Sequence, residues 1–258
     1  MLHPLKLASL SLCLLVVACG RTAPTEAPAA PTAAAAAAGP ALPTAVQDYL
    51  AELKAVEAAK APVSLEALFA KAEGAQNALM EVTGDQAVLE RYSDAEFSTL
   101  QSTVRGLKLH RKLEIYAQPE PAFFLALAMA HGQPTDVAFF EQYVASMGDD
   151  LVPRYLKLRP QPSPCVRFDE GVIEPLYAGW RALAAAQPQA YSTTTQQNIA
   201  DLEEALVLGT CACAGVESVQ KEQAAFVARY PDNPKVAAIK ARSAQLISDP
   251  DAVPVNCR

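Results

Sequence analysis

Apolar residues recur at intervals of three and four along most of this chain, the spacing that places them on one face of a helix. Val46, Tyr49, Leu50, Leu53 and Val56 form the first such stripe. Pro62-Val63-Ser64 interrupts it, with Ser64 placed to cap a second helix, and Leu65, Leu68, Phe69 and Ala72 carry the next stripe on to Leu79. Ser93 and Glu96 have capping-box spacing. Behind them Phe97, Leu100, Val104 and Leu107 predict a helix that runs to about Tyr116 and is ended by Pro119 and Pro121.

The segment "PAFFLALAMAHG" is apolar on every side, which predicts a helix at the buried centre of the domain, ending at His131-Gly132. Thr135 opens another helix with Val137, Phe140, Tyr143, Val144 and Met147 inward, and Gly148-Asp149-Asp150 breaks it. The prolines of "RPQPSPC" require an irregular connection and mark a candidate subdomain boundary near 160–165. Further helices are predicted over about 172–186, 195–208, 216–230 and 235–247. Only "LVPRYLKLR" reads as a short strand, and Pro153 argues against it. The expected fold class is all-α: an irregular helical bundle or short α-solenoid of eight to nine helices over residues 45–258.

The first forty-four residues have a different character. One lysine, Lys6, precedes the uncharged run Leu7 to Ala18, whose twelve residues are too few to span a bilayer. A basic start, a short apolar run and small residues at its end describe a secretory signal peptide over 1–18. Val16-Val17-Ala18-Cys19 resembles the lipobox of bacterial lipoproteins. That resemblance implies cleavage after Ala18, lipidation of the Cys19 thiol and acylation of the new amine. More than one acyl chain is what stable anchoring requires. Gly20 is present where resembling inner-membrane lipoproteins often carry Asp, which implies the outer membrane, with the domain facing the periplasm. Residues 19–44 are then a disordered tether of Ala, Pro and Thr, able to hold the domain up to roughly 70 Å from the lipid.

Near the other end, "AAFVARYPDNPKVAAIKARSAQL" resembles the helix–turn–helix unit of tetratricopeptide-like periplasmic lipoproteins. Tyr230-Pro231 closes one helix, Asn233 can cap the next and Pro234 sits at its first position. No sustained period of repeats accompanies it.

The formal net charge of −7 becomes more negative when Lys6 leaves with the signal, which argues against nucleic acid as a partner. The charge is uneven. Ten acidic and four basic side chains lie between Asp48 and Glu96, whereas Arg105, Lys108, Arg111 and Lys112 cluster, as do Arg154, Lys157, Arg159 and Arg167. Each cluster reads first as a solvated face and second as a contact for an acidic partner.

Four cysteines remain beyond the anchor: Cys165, Cys211, Cys213 and Cys257. An even count in an exported chain predicts two disulfides. A bridge between Cys211 and Cys213 would be a tight, strained ring, so one of them is expected to hold Cys165 and the other Cys257. The rival use of Cys-x-Cys, a thiolate metal site, lacks a nearby histidine.

The common catalytic signatures are missing, including the Gly-x-Ser-x-Gly elbow, His-Glu-x-x-His and phosphate-binding glycine loops. Ser218-Val219-Gln220-Lys221 matches Ser-x-x-Lys, a pattern that an exposed amphipathic helix face also produces. His110 reads as solvated and His131 as a helix-end residue. Asp149, Asp150, Asp169, Glu170 and Glu174 are the carboxylates available for hydrolysis of glycans. The segment "CVRFDEGVIEPLYAGW" gathers the candidate binding surface, Arg167, Asp169, Glu170, Tyr177 and Trp180, although Trp180 also suits the core beneath such a loop. No cofactor or metal is expected. The function these features predict is a lipid-anchored, non-catalytic protein-binding or scaffold module of the cell envelope. An envelope inhibitor or immunity protein is the second reading, and a carboxylate hydrolase of cell wall or lipid is the third.

Overall fold

The computed structural model describes residues 41–112, 115–148, 150–159 and 164–248. Nine α-helices account for most of these residues, and three two-stranded antiparallel pairs account for little. None of the described helices is long and apolar enough to cross a membrane. The described residues belong to one compact unit, and those on both sides of 160–163 fall within it.

Helices α1 (Thr44–Glu57) and α2 (Glu66–Met80) pack against each other through the predicted stripes. Val46, Tyr49, Leu53 and Val56 meet the core from α1, and Leu68, Phe69, Ala72, Ala75 and Leu79 from α2. A small hairpin comes next, β1 (Val82–Thr83) with β2 (Gln86–Ala87), turning at Gly84 with φ of 77°. One 3-10 turn, Val88–Arg91, leads to α3 (Asp94–Thr103). The Ser93–Glu96 capping box forms as expected, with the Glu96 carboxylate accepting from the Ser93 N–H at 2.7 Å.

The predicted continuation of α3 to Tyr116 is corrected by the structure. The helix stops at Thr103, and the chain enters a hairpin of β3 (Leu107–Arg111) and β4 (Ile115–Pro119), with Leu107 opposite Pro119 and Arg111 opposite Ile115. Gly106 is the reason. It sits at φ of 80°, where a side chain is strained, and any Cβ there would collide with Tyr49 Oη and the Phe123 ring. Leu107 and Leu109 then point inward by strand alternation. Val104 and Leu107 are spaced alike for a helix face or for two inward positions around a turn, so spacing alone does not separate the two. The expected all-α class is therefore mostly helical with short strands.

Burial of helix α4 (Pro121–His131) on every side, expected from its uniformly apolar sequence, is also corrected. Phe124, Leu127 and Ala128 are buried, but Met129 is 72% exposed and Ala122, Ala126 and Ala130 face outward with it. Small alanines keep that face from presenting much apolar surface. Helix α5 (Pro134–Ser146) packs against α4. Phe69 of α2 sits in an aromatic cluster, edge-on to Phe124, Phe139, Phe140, Tyr143 and Tyr191 at centroid distances of 5.3 to 6.2 Å.

A buried carboxylate ties this half together. Asp136 is fully buried at the start of α5, where Oδ2 accepts from the Gln133 N–H at 2.6 Å. Its Oδ1 accepts from the Leu65 N–H at 3.0 Å and from the Tyr191 hydroxyl at 2.5 Å. Burial first, and then this bond to Asp136, push the Tyr191 phenol far above its ordinary pKa, so it stays a donor.

The second half is α6 (Ile173–Ala186), α7 (Ser192–Leu208), α8 (Val216–Arg229) and α9 (Val236–Ser248), close to the predicted boundaries. Gly209 ends α7 in the left-handed region at φ of 51°, a common helix stop. The segment that resembles a tetratricopeptide unit folds as a helix pair, with Tyr230 ending α8 and the Asn233 side chain accepting from the Lys235 N–H at 2.7 Å. Tyr177 donates to Glu203 Oε1 at 2.8 Å, and Asn233 Nδ2 donates to both, at 2.6 and 2.7 Å. Burial and then the Glu203 bond push the Tyr177 phenol up to about 12. Contacts between α5 and α6, including Phe139 against Trp180 at 6.0 Å, join the two halves.

Candidate binding surface

The chain between α5 and α6 has no long element of its own. It is shaped by a series of backbone bonds. The Gly148 N–H donates to Val152 O at 2.9 Å, Leu151 N–H returns to Gly148 O at 3.0 Å, and Asp150 Oδ1 accepts from the Val152 N–H at 3.1 Å. Leu151 takes φ of 62° to close this turn. Strand β5 (Leu156–Lys157) then pairs with β6 (Cys165–Val166), so the one predicted strand region does hold a short strand beyond Pro153. The Arg167 N–H donates to Tyr155 O at 2.9 Å.

The α7–α8 connection completes the patch. Val166 N–H donates to Cys211 O at 2.7 Å, Cys213 N–H donates to Val166 O at 2.9 Å, and Val166 bridges Ala212 in parallel. Cys165 and Cys213 are joined by a disulfide. This is one of the two pairings that avoid a Cys211–Cys213 ring. Cys211 is disulfide-bonded as well, which removes the thiolate-metal reading for both members of Cys-x-Cys. The bonding partner of Cys211 is not among the described residues, and Cys257 is outside them too, as are Cys19 and Asp149.

On the far side of β6 the chain turns through Asp169, at φ of 59°, and Gly171. Glu222 of α8 reaches across and accepts from the Asp169 N–H at 2.7 Å, while Lys221 pairs with the Asp169 carboxylate at 3.1 Å. The Arg159 guanidinium donates to Ala212 O at 2.9 Å. The loop is thus held on two sides, by α8 and by the α7–α8 connection, to which the disulfide also ties it.

This frame encloses an open cleft of about 530 Å³, whose lining includes Val152, Arg154, Leu156, Lys157, Leu158 and Arg167. Leu158 is 46% exposed. The cleft also contains Asp150 and Glu170, but Glu170 is paired with Arg167 at 2.7 Å and Asp150 is occupied by its turn. Arg154 donates to Met147 O at 3.2 Å and continues into a neighbouring hollow of about 220 Å³ that Lys108 and Glu120 share. A separate hollow of about 370 Å³ beside α3 is lined by Leu42, Tyr92 and Leu100 and, among the described residues, carries only Glu96 as a charge.

The candidate surface read from the sequence therefore divides. Arg167, Asp169 and Glu170 lie at the cleft or on its supporting turn. Tyr177 and Trp180 are 0% and 1% exposed, which corrects their placement on a binding surface. They face inward because α6 buries Ile173, Leu176, Tyr177, Trp180 and Leu183 at helical spacing. In the sequence Arg154 and Lys157 stand out as charge, and Val152, Leu156 and Leu158 only as members of the possible strand "LVPRYLKLR". Their one signal is a basic cluster next to a proline-rich loop and a cysteine.

The other candidates are structurally occupied. Ser218 is buried, not exposed, and its hydroxyl donates to Gly215 O at 2.7 Å, while Lys221 is turned to Asp169. His110 stacks on Tyr116 across the β3–β4 hairpin at 5.0 Å, and His131 ends α4. Glu174 pairs with Arg229 at 2.6 Å and accepts from the Tyr230 hydroxyl at 3.0 Å. In the second basic cluster, Arg105 pairs with Glu57 at 2.7 Å and Arg111 with Asp94 at 2.6 Å. Among the described residues no group of three His, Cys, Asp or Glu side chains is placed to hold a metal ion.

Glu222 gives this surface a pH signature. Burial chiefly raises its pKa; the Asp169 N–H bond lowers it, and the Asp169 and Glu174 carboxylates raise it further. A carboxyl group raised in the folded state contributes stability below its unfolded value and loses it as pH rises through the folded one. Glu222→Gln keeps an oxygen for the Asp169 N–H and removes the charge. Its thermal midpoint should exceed that of the wild type at pH 7, and the difference should shrink steadily toward pH 4. A difference independent of pH would contradict this assignment.

No protein-family model, curated protein or solved structure shows significant similarity to this chain.

Proposed function

We propose that the chain is a bacterial cell-envelope lipoprotein, held on the membrane through acylated Cys19, whose helical body is a non-catalytic protein-binding module. The run Leu7 to Ala18 and the lipobox Val16-Val17-Ala18-Cys19 support the anchor, and Gly20 supports the outer membrane facing the periplasm. The binding reading rests on one observation. The α5–α6 loop is fixed by the Cys165–Cys213 disulfide and by α8, and it presents exposed Arg154, Lys157 and Leu158 around a cleft. A preorganised surface of mixed charged and apolar groups suits a partner, because little ordering entropy is lost on binding. The packing of α1 on α2, α4 on α5, α6 on α7 and α8 on α9 supports the finer reading of a short α-solenoid of helical hairpins.

The test is crosslinking in intact envelopes with the wild-type chain and Cys19→Ser. The wild type should fractionate with membranes and bring down one stoichiometric protein partner, and Cys19→Ser should move to the soluble fraction. Retention of Cys19→Ser on the membrane would refute the anchor. Turnover of peptidoglycan or lipid that is lost in Glu170→Gln would refute the non-catalytic reading. A captured partner that is itself a toxin or hydrolase would assign the inhibitor use.

A further inference from the structure

We propose that the cleft of the α5–α6 loop binds an extended acidic segment of the partner protein, carboxylates against Arg154 and Lys157 and an apolar side chain against Leu156 and Leu158. This rests on the protein-binding reading and names the chemistry of the partner.

The charges in the cleft are not equivalent. Arg167 and Glu170 neutralise each other at 2.7 Å, and the Asp150 carboxylate accepts from the Val152 N–H, a bond that cancels no charge. Arg154 and Lys157 are exposed and have no carboxylate partner among the described residues. Arg154 has one N–H committed to Met147 O, which fixes the direction of its guanidinium and leaves the rest of the fork without a partner among the described residues. Arg159, the next cation along, bonds a backbone carbonyl and no carboxylate among the described residues, so it adds positive charge without cancelling any. Among the described residues of this loop the unmatched charge is positive, Arg154, Lys157 and Arg159 against Asp150 alone, on a chain whose net charge is −7. Charge complementarity therefore selects an anion at this place and not over the whole surface.

The apolar lining decides which anion. Val152, Leu156 and Leu158 line the same cleft as the cations. A free phosphate uses none of that surface. A concave cleft does not lie flat on a bilayer of anionic headgroups. An extended peptide with alternating carboxylate and aliphatic side chains satisfies both halves of the lining. The loop needs no rearrangement to accept it, since the disulfide and the Glu222 bond already hold its backbone.

The experiment uses the full chain with Cys19→Ser and a fluorescein-labelled peptide of alternating Glu and Leu, read by anisotropy. Binding should weaken as salt is raised. Arg154→Glu with Lys157→Glu should reduce affinity at least tenfold, and the neutral pair Arg154→Gln with Lys157→Gln should reduce it less. Lys54→Glu with Lys60→Glu, on exposed lysines of α1 and the segment after it, should leave affinity unchanged. Thermal midpoints equal to that of the parent chain establish that the variants fold. Equal affinity in the Arg154/Lys157 variants, or equal loss in the Lys54/Lys60 control, overturns the proposal. So does binding to vesicles containing phosphatidylglycerol that depends on Arg154 and Lys157 while the peptide does not bind. Crosslinking separates the cleft from the module as a whole. A partner captured undiminished by Arg154→Glu with Lys157→Glu defeats the cleft and leaves the binding module standing. Peptide binding with no partner captured in envelopes defeats the module.

Discussion

Asp136→Ala should lower the unfolding free energy by about 4 kcal/mol, because it strands three donors at once. The Leu65 N–H, the Gln133 N–H and the Tyr191 hydroxyl all end on this carboxylate, and they belong to three places in the chain: the entry to α2, the entry to α5 and the residue before α7. The site is fully buried, so water cannot replace the lost acceptor without opening the core. Asp136→Asn should cost about half as much. Its oxygen can stand in for Oδ1 and keep two donors, but its amide then faces the Gln133 N–H. Tyr191→Phe should cost about 1 kcal/mol, since the carboxylate keeps two partners. For a domain of this size the alanine variant corresponds to a fall of roughly 10 °C in thermal midpoint. Urea unfolding checks the order Ala, Asn, then Tyr191→Phe. A loss below about 1 kcal/mol for Asp136→Ala would show that the three donors find other partners.

Removing the disulfide with Cys165→Ser and Cys213→Ser should cost about 4 kcal/mol, the loop-closure entropy restored to the unfolded chain by freeing residues 48 apart in sequence. The effect should also be local. Amides of Val166 and Cys213, which donate to Cys211 O and Val166 O beside the staple, should lose protection from hydrogen exchange, as should those of Arg154 and Arg167. Amides in α1 and α2 should keep theirs. Affinity for the acidic peptide should fall with the same variant, because the cleft loses its preorganisation and not its charges. A stability loss under about 1 kcal/mol, or uniform loss of protection across all nine described helices, would mean that the bridge does not organise this surface.

Much of the architecture is legible in the sequence because helical spacing is a local property. The stripes from Val46 to Val56 and from Leu65 to Leu79, and the four helices after Val172, need only apolar residues at intervals of three and four and a proline or glycine near their ends. The capping pair Ser93 and Glu96 is legible for the same reason. Failure comes where periodicity is ambiguous. Val104 and Leu107 fit a helix until Gly106 is seen against Tyr49 and Phe123, residues distant in sequence or on another element. On α4, a uniformly apolar run hides the fact that its small residues face water.

The candidate site is only half legible. A cluster of positive charge beside prolines and a cysteine marks the region, and Arg167, Asp169 and Glu170 can be picked out within it. Tyr177 and Trp180 are drawn to the surface only by their nearness in sequence to that loop. One helical turn separates a loop residue from a core residue, and aromatic side chains follow the apolar stripe. Arg154 and Lys157 become part of a site only when β5 pairs with β6 and the Cys165–Cys213 bridge folds the loop onto the α7–α8 connection.

By itself the sequence determined most of the helical elements, the even set of cysteines and the net acidity, because each is a matter of residue type at short range. The tertiary structure alone decided which cysteine meets Cys165, where α3 yields to a hairpin, that Asp136 closes on three distant donors, and that Arg154 and Lys157 share one cleft. Those outcomes depend on contacts between residues far apart in the chain, and steric exclusion, burial and the pairing of buried polar groups settle them only once the helices are packed.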